Sequence, residues 1–250
     1  MNRSLDSSDT EAIERATMAA VAPPEVDEAH GWLIAYDDGT VNRAKSAVPL
    51  HHDMPDVRVV ADIRQRYLAR GLAPMFRIPQ LAQFDSVQAE LARLGLQSQQ
   101  PTGVHIARAA DVVRAGTGGD VQVKSAPDDE WAGVFLGEGF DAQDGASRVR
   151  TLTRARGSLF ASVRDGGQTV AAGVLAMGHG WASIHGMRTA LSHRGRGLAT
   201  RVLSALASQA QQRNFDNIVL QVETANTTAR RLYARCGFTH AWTYAYWRCA

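Results

Sequence analysis

Residues 194–199 read R-G-R-G-L-A, between a strand-like run ending near Thr189 and a long amphipathic segment. Few folds have a use for that order. Gly195 and Gly197 allow a tight turn that exposes successive backbone N–H groups. Those amides lead into a helix N-terminus, where orphan donors and the positive end of the dipole favour phosphate. Arg194 and Arg196 add charge that can pair with phosphate oxygens. Leu198, Val202, Leu206 and Ala210 recur at i+4, so the helix behind buries one face and holds the loop. By itself, a glycine-rich turn before a helix can be no more than a turn. Two specific alternatives fail: there is no Gly-Lys-Ser/Thr of a nucleotide P-loop, and no third glycine or acidic strand end of a dinucleotide site.

The rest of the chain alternates helical and strand patterns, which predicts an α/β protein. Residues 10–22 read as a helix stopped by Pro23-Pro24, and 31–36 as a strand turning at Asp37-Asp38-Gly39 into 43–50. A helix over 57–71, a short strand MFRIP, a helix over 84–95 and a strand over 103–109 follow. The run AGTGGD within 110–119 is the best linker candidate. Beyond it come VQVKS, two helices, three strands (SLFASVRD, TVAAGVLAMGH, WASIHGMRTA), the helix 198–214, a strand over 217–224, a helix over 227–237 and the strands of a terminal FTHAWTYAYWR segment. Both halves follow helix–hairpin–helix–strand–helix–strand, which suggests a duplicated domain divided as 1–115 and 120–250.

With 250 residues, the chain can hold one large domain or two ordinary ones. A net charge of +2 is too near zero to call for a nucleic-acid or membrane partner. Cys236 and Cys249 make no disulfide framework, so a reducing compartment is expected. No Cys/His spacing resembles a metal site. No apolar run approaches a membrane span of about 18 residues, and the polar start is not a signal peptide. The expectation is a cytoplasmic protein without a metal, with His51-His52 solvated in a loop.

A second pattern lies at 220–238, L-Q-V-E-T-A-N-T-T-A-R-R-L-Y-A-R-C-G-F. Asn226 is placed to cap a helix, Ala229, Leu232, Tyr233 and Cys236 share a face, and Gly237 is a C-terminal stop. Taken alone, Tyr233 reads better as a core aromatic with a satisfied hydroxyl than as a functional residue. Together with the loop, in the same order and spacing, the pattern resembles the signature motifs of the GNAT (GCN5-related N-acetyltransferase) superfamily. These are the Arg/Gln-x-x-Gly-x-Gly/Ala loop and the Asn-x-x-Ala-x-x-Leu-Tyr-x-x-x-Gly-Phe helix. The resemblance spans about 130 residues from Asp120. It implies a GNAT fold: a central mixed, mostly antiparallel sheet flanked by helices, with the N-terminal half as a degenerate copy lacking the cofactor loop.

The resemblance further implies that acetyl-CoA serves as co-substrate. Its pyrophosphate would sit on Gly195, Gly197, Leu198 and Ala199, with Arg194 and Arg196 beside it. Its pantetheine arm would run along Met187, Arg188 and Thr189, with the Met187 amide polarising the acetyl carbonyl and Asn226 contacting the arm. Tyr233 matches the tyrosine that protonates the departing thiolate. Some members place a glutamate where this chain has Gln221 or Ser183. That leaves Glu223 and His185 as candidate bases; each reads as readily as a surface carboxylate or a hydrogen-bonded core histidine. Tyr244, Tyr246 and Trp247 on the last strand, and Trp131, Phe135 and Phe140, are candidates to border the acceptor site. The expected function is N-acetylation of a primary amine of a small molecule or peptide in a ternary complex. The alternative is a non-catalytic acyl-CoA sensor.

Overall fold

The computed structural model describes residues 5–116, 118–139 and 141–249. In the first half lie α1 (Ser7–Val21), β1 (Glu25–Ala29), β2 (Trp32–Tyr36), β3 (Ala47–Pro49) and α2 (Val59–Ala69). They are followed by β4 (Met75–Pro79), α3 (Asp85–Arg93), β5 (Gln97–Arg108) and α4 (Ala109–Arg114). The second half holds β6 (Gln122–Lys124), α5 (Asp129–Leu136), α6 (Ala142–Arg154), β7 (Leu159–Asp165) and β8 (Gln168–Gly178). It continues through β9 (Trp181–Thr189), α7 (Leu198–Gln211), β10 (Asn217–Glu223), α8 (Thr227–Arg235) and β11 (Thr239–Arg248).

All eleven strands join one sheet in the order β1-β2-β3-β4-β11-β5-β10-β9-β8-β7-β6. Pairing is antiparallel except for β3 with β4 and β9 with β10. The first half carries three antiparallel-linked strands and the second half four, each set followed by a helix crossover to a parallel partner. The last strand of each half then crosses into the other: β5 pairs with β10, β11 pairs with β4, and the two pair with each other at the centre. The fold is the mixed, mostly antiparallel sheet expected from the sequence.

Three local readings differ from the structure. Glu25–Ala29, too charged to read as a strand, forms β1 by pairing with β2 at the sheet edge, where charged side chains reach water and block further pairing. The stretch read as a linker begins with a helix, α4, packed on α7, where Ser204 Oγ donates to the Val113 carbonyl at 3.1 Å. Gly116 is needed there, since a Cβ would come within 2.2 Å of Ser204. The terminal segment is one strand with two register shifts rather than several.

Helices cover both faces. On one, α7 and α4 close a core built from Leu203, Leu206, Ile184, Leu220 and Phe238. On the other, α1 packs over the centre, where Ile13 and Ala16 meet Trp181, Val219 and Trp242. Asp6 starts α1 through a reciprocal capping box with Asp9. Inside this layer, Arg77 of β4 meets Glu14 of α1 at 2.7 Å, with the two side chains 0% and 1% exposed. Glu14→Ala would strand a guanidinium in the core, and should cost about 3 kcal/mol in a urea unfolding series. A loss below about 1 kcal/mol would mean that Arg77 is not charged and buried as described.

Candidate active site

The site begins with a defect in the sheet. β9 and β10 run parallel and pair at Ala182–Ile184 with Ile218–Leu220, and no pairing continues beyond. On the other side of β9, Ala172 faces Arg188 and Val174 faces His185, so Gly173 alone opposes Gly186 and Met187. This is a β-bulge, and Gly186 adopts φ +60° within it. A Cβ at Gly186 would come within 2.6 Å of Leu152, so the position is closed to side chains. The bulge bends β9 from β10, and the β9–β10 ladder ends at Ile184 with Leu220, before Met187–Thr189.

The loop after β9 opens at the same end of the sheet. A short 3-10 turn, Leu191–His193, leads to Gly195 at φ +79° and Gly197 at φ +72°. Gly197 is the N-cap of α7, and no side chain caps the helix. A Cβ at either glycine would meet nothing within 4 Å, so the loop faces open space. The Asp165 carboxylate steadies its flank, 3.2 Å from His193 Nε2 and 3.7 Å from Arg196 Nη1. Behind it, Leu198, Val202, Leu206 and Ala210 are all buried, as their spacing predicts.

A cavity of about 360 Å³ lies where the strands part. His185, Met187, Arg188, Glu223, Asn226 and Tyr233 all line it. Thr189, Arg194, Gly195, Arg196, Gly197, Leu198 and Ala199 lie outside its lining, along the end of β9 and the start of α7. Tyr233 is buried on α8, edge-on to Phe238. Burial, helped by Cys236, pushes its phenol up to about 12. Asn226 caps α8, accepting from the Ala229 N–H at 3.1 Å. Glu223 is exposed and accepts from Gln100 Nε2 at 2.6 Å. His185 is buried, with Nε2 2.6 Å from Ser183 Oγ. Burial, and then the charge of Arg43, pull it down to about 3, so it is a neutral imidazole at pH 7. Gln221 is fully engaged: Nε2 donates to Thr17 Oγ1 at 3.0 Å, and Oε1 accepts from the Tyr244 hydroxyl at 2.8 Å.

The family model described as "Probable histone acetyltransferase Rv0428c C-terminal" matches residues 7–247. The chain belongs to that family. No curated protein matches it. Among solved structures, it is similar to a GCN5-related N-acetyltransferase from Kribbella flavida, at 17% identity and TM-score 0.70, over 96% of this chain and 95% of that one. It is also similar to a tandem GNAT protein from the clavulanic acid biosynthesis pathway, at 16% identity and TM-score 0.63, over 97% and 96% of the two chains. A GCN5-related N-acetyltransferase from Sphaerobacter thermophilus aligns at 16% identity and TM-score 0.58, over 98% and 94%. These neighbours share the GNAT fold with this member of the Rv0428c C-terminal family.

In this GNAT chain, the residues that sequence reasoning missed come from the other half. Thr40, Asn42, Arg43 and Gln100 of the first half line the cavity. No local pattern announces them, because each is brought in by pairing distant in sequence. Of the aromatic candidates, Phe135 and Tyr246 line the cavity. Trp131 packs on Phe135 and Phe160, Trp247 lies in the core of the N-terminal half, and Phe140 is outside the described residues. His52 is not solvated: its ring stands edge-on to Phe84 and Trp242, and burial lowers it to about 4. Cys236 is buried on the packed face of α8. Among the described residues, no group of three or more His, Cys, Asp and Glu could hold a metal. None of the described helices is long and apolar enough to cross a membrane.

Proposed function

We propose that the chain transfers an acetyl group from acetyl-CoA to a primary amine of a small molecule or peptide, with both substrates bound together. The observation that carries this reading is the bulge-driven parting of β9 and β10, with an open glycine loop at one end and Tyr233 in the cavity beside it. Coenzyme A fits what is present. The uncapped amides at the start of α7, with Arg194 and Arg196, suit a pyrophosphate, and the extended backbone of Met187–Thr189, beyond the last β9–β10 pair, suits the amides of a pantetheine arm.

Acetyl-CoA supplies the activated carbonyl, and the chain supplies orientation and protons. The Met187 N–H polarises the carbonyl. Tyr233 keeps its proton at any working pH and donates it toward the sulfur as the thiol is regenerated. An alkylammonium near pKa 10.4 must shed a proton at a cost of about 4.6 kcal/mol at pH 7, against about 1 for an α-amine. Glu223, open to water, is the carboxylate on that side and takes the proton directly or through water. His185, held near 3, serves as a hydrogen-bonding group in this scheme. The two halves, 1–115 and 120–250, are a duplicated pair in which the first lacks the loop and has become part of the acceptor wall. A cytoplasmic location accords with two free cysteines.

Calorimetric titration with acetyl-CoA, followed by an amine panel, tests this. Saturation at one site per chain with turnover supports it. Binding without turnover of any amine makes the chain a sensor, and absence of binding removes the cofactor site.

A further inference from the structure

The cavity wall holds a cation that the protein itself leaves unneutralised. Arg43 sits in a short 3-10 turn, Asn42–Ala44, and lines the same cavity as His185, Glu223 and Tyr233. The loop that carries it is fastened to α6. The Thr40 N–H donates to Ser147 Oγ at 2.9 Å, its hydroxyl donates to Asp144 at 2.8 Å, and Arg154 donates to Asp37 at 2.5 Å. Arg43 is therefore held in place by its loop.

The neighbours of this guanidinium are the phenols of Tyr244 and Tyr246 and the neutral ring of His185. Its Nε is buried without a hydrogen-bond partner. Asp144, which also lines the cavity, is committed to Arg148 at 2.6 Å. Among the described residues no carboxylate pairs with Arg43. Withdrawing a charge from water without a counter-ion is costly, and in a substrate cavity a substrate anion removes the cost. The planar fork of arginine suits a carboxylate in particular.

The opposite pole is Glu223, which accepts a hydrogen bond from the uncharged amide of Gln100. Asn42, next to Arg43, donates to Gln100 Oε1 at 2.9 Å, so one hydrogen-bonded chain joins the two poles. We infer that the acceptor is an amino carboxylic acid, with its carboxylate on Arg43 and the Tyr246 hydroxyl and its amine on the Glu223 side. This rests on amine acetylation and narrows it: polyamines and neutral amines leave Arg43 without a partner.

The test follows thiol release from acetyl-CoA with matched pairs, each free amino acid against its carboxamide. Glycine and glycinamide, phenylalanine and phenylalaninamide, and 4-aminobutyrate and 4-aminobutanamide are run beside spermidine and a lysine peptide. At least one acid should exceed its amide by about 100-fold in kcat/KM, mostly through KM. Arg43→Gln should collapse that ratio toward one, and Arg43→Lys should recover part of it. Thermal unfolding of each variant checks folding, and the wild-type shift with each acid gives a binding readout independent of turnover. Amides as good as acids, or a ratio that survives Arg43→Gln, would overturn the inference and leave amine acetylation standing. Turnover confined to spermidine or the peptide would do the same. If no amine of any class reacts although acetyl-CoA binds, amine acetylation itself has failed, and the substrate class falls with it.

Discussion

Gly197→Glu is expected to weaken acetyl-CoA binding by at least 100-fold, about 2.7 kcal/mol, in a calorimetric titration. Two effects add. The glutamate places a negative charge at the uncapped start of α7, where the helix end otherwise attracts anions. Its side chain also points into space that is empty now, with nothing within 4 Å of a Cβ, and this is the space a phosphate would use. The positive φ of +72° adds about 1 kcal/mol of strain for any L side chain. Gly197→Ala separates the effects, because it carries the strain without the bulk or the charge. It should bind acetyl-CoA within a few-fold of the wild type. Equal affinity in the glutamate variant would show that the pyrophosphate lies elsewhere.

Tyr233→Phe is expected to lower kcat by about 100-fold while leaving the acetyl-CoA dissociation constant within about twofold. The ring would stay packed against Phe238, so folding and cofactor binding lose little. Only the proton donor disappears. A free phenol near pKa 10 is already a weak acid beside a thiol near 8.5. At about 12, full transfer before bond cleavage is further uphill, so the donation must accompany the departure of sulfur. The same value means that Tyr233 contributes no alkaline limb to the rate below pH 10. A limb in that range reports another group, and the ammonium of the acceptor is the natural candidate. An equal fall in kcat and in acetyl-CoA affinity would instead make Tyr233 a packing residue.

Short-range signals told most about the cofactor side. The spacing of Leu198, Val202, Leu206 and Ala210 marked the buried face of α7, and Asn226 and Gly237 marked the ends of α8. In each case the cause is local: a cap or an apolar stripe acts within a turn or two of its own residue. The acceptor side was not legible in that way. At the bulge that parts β9 from β10, Leu152 lies where a side chain on residue 186 would go, so the fit of Gly186 is set by a residue of α6. His185 is depressed first by its burial and then by the charge of Arg43, more than a hundred residues earlier.

The sequence by itself determined the α/β class, the loop geometry and the helix that carries Tyr233, because backbone sterics and periodicity act between near neighbours. Only the tertiary structure decided that β5 and β11 trade places between the halves. That exchange satisfies the edges of β4 and β10 with strands from the opposite half, a choice made by long-range pairing that no local pattern encodes. It also brings Gln100 of β5 to Glu223 and Tyr246 of β11 into the cavity, so the acceptor wall is a product of topology.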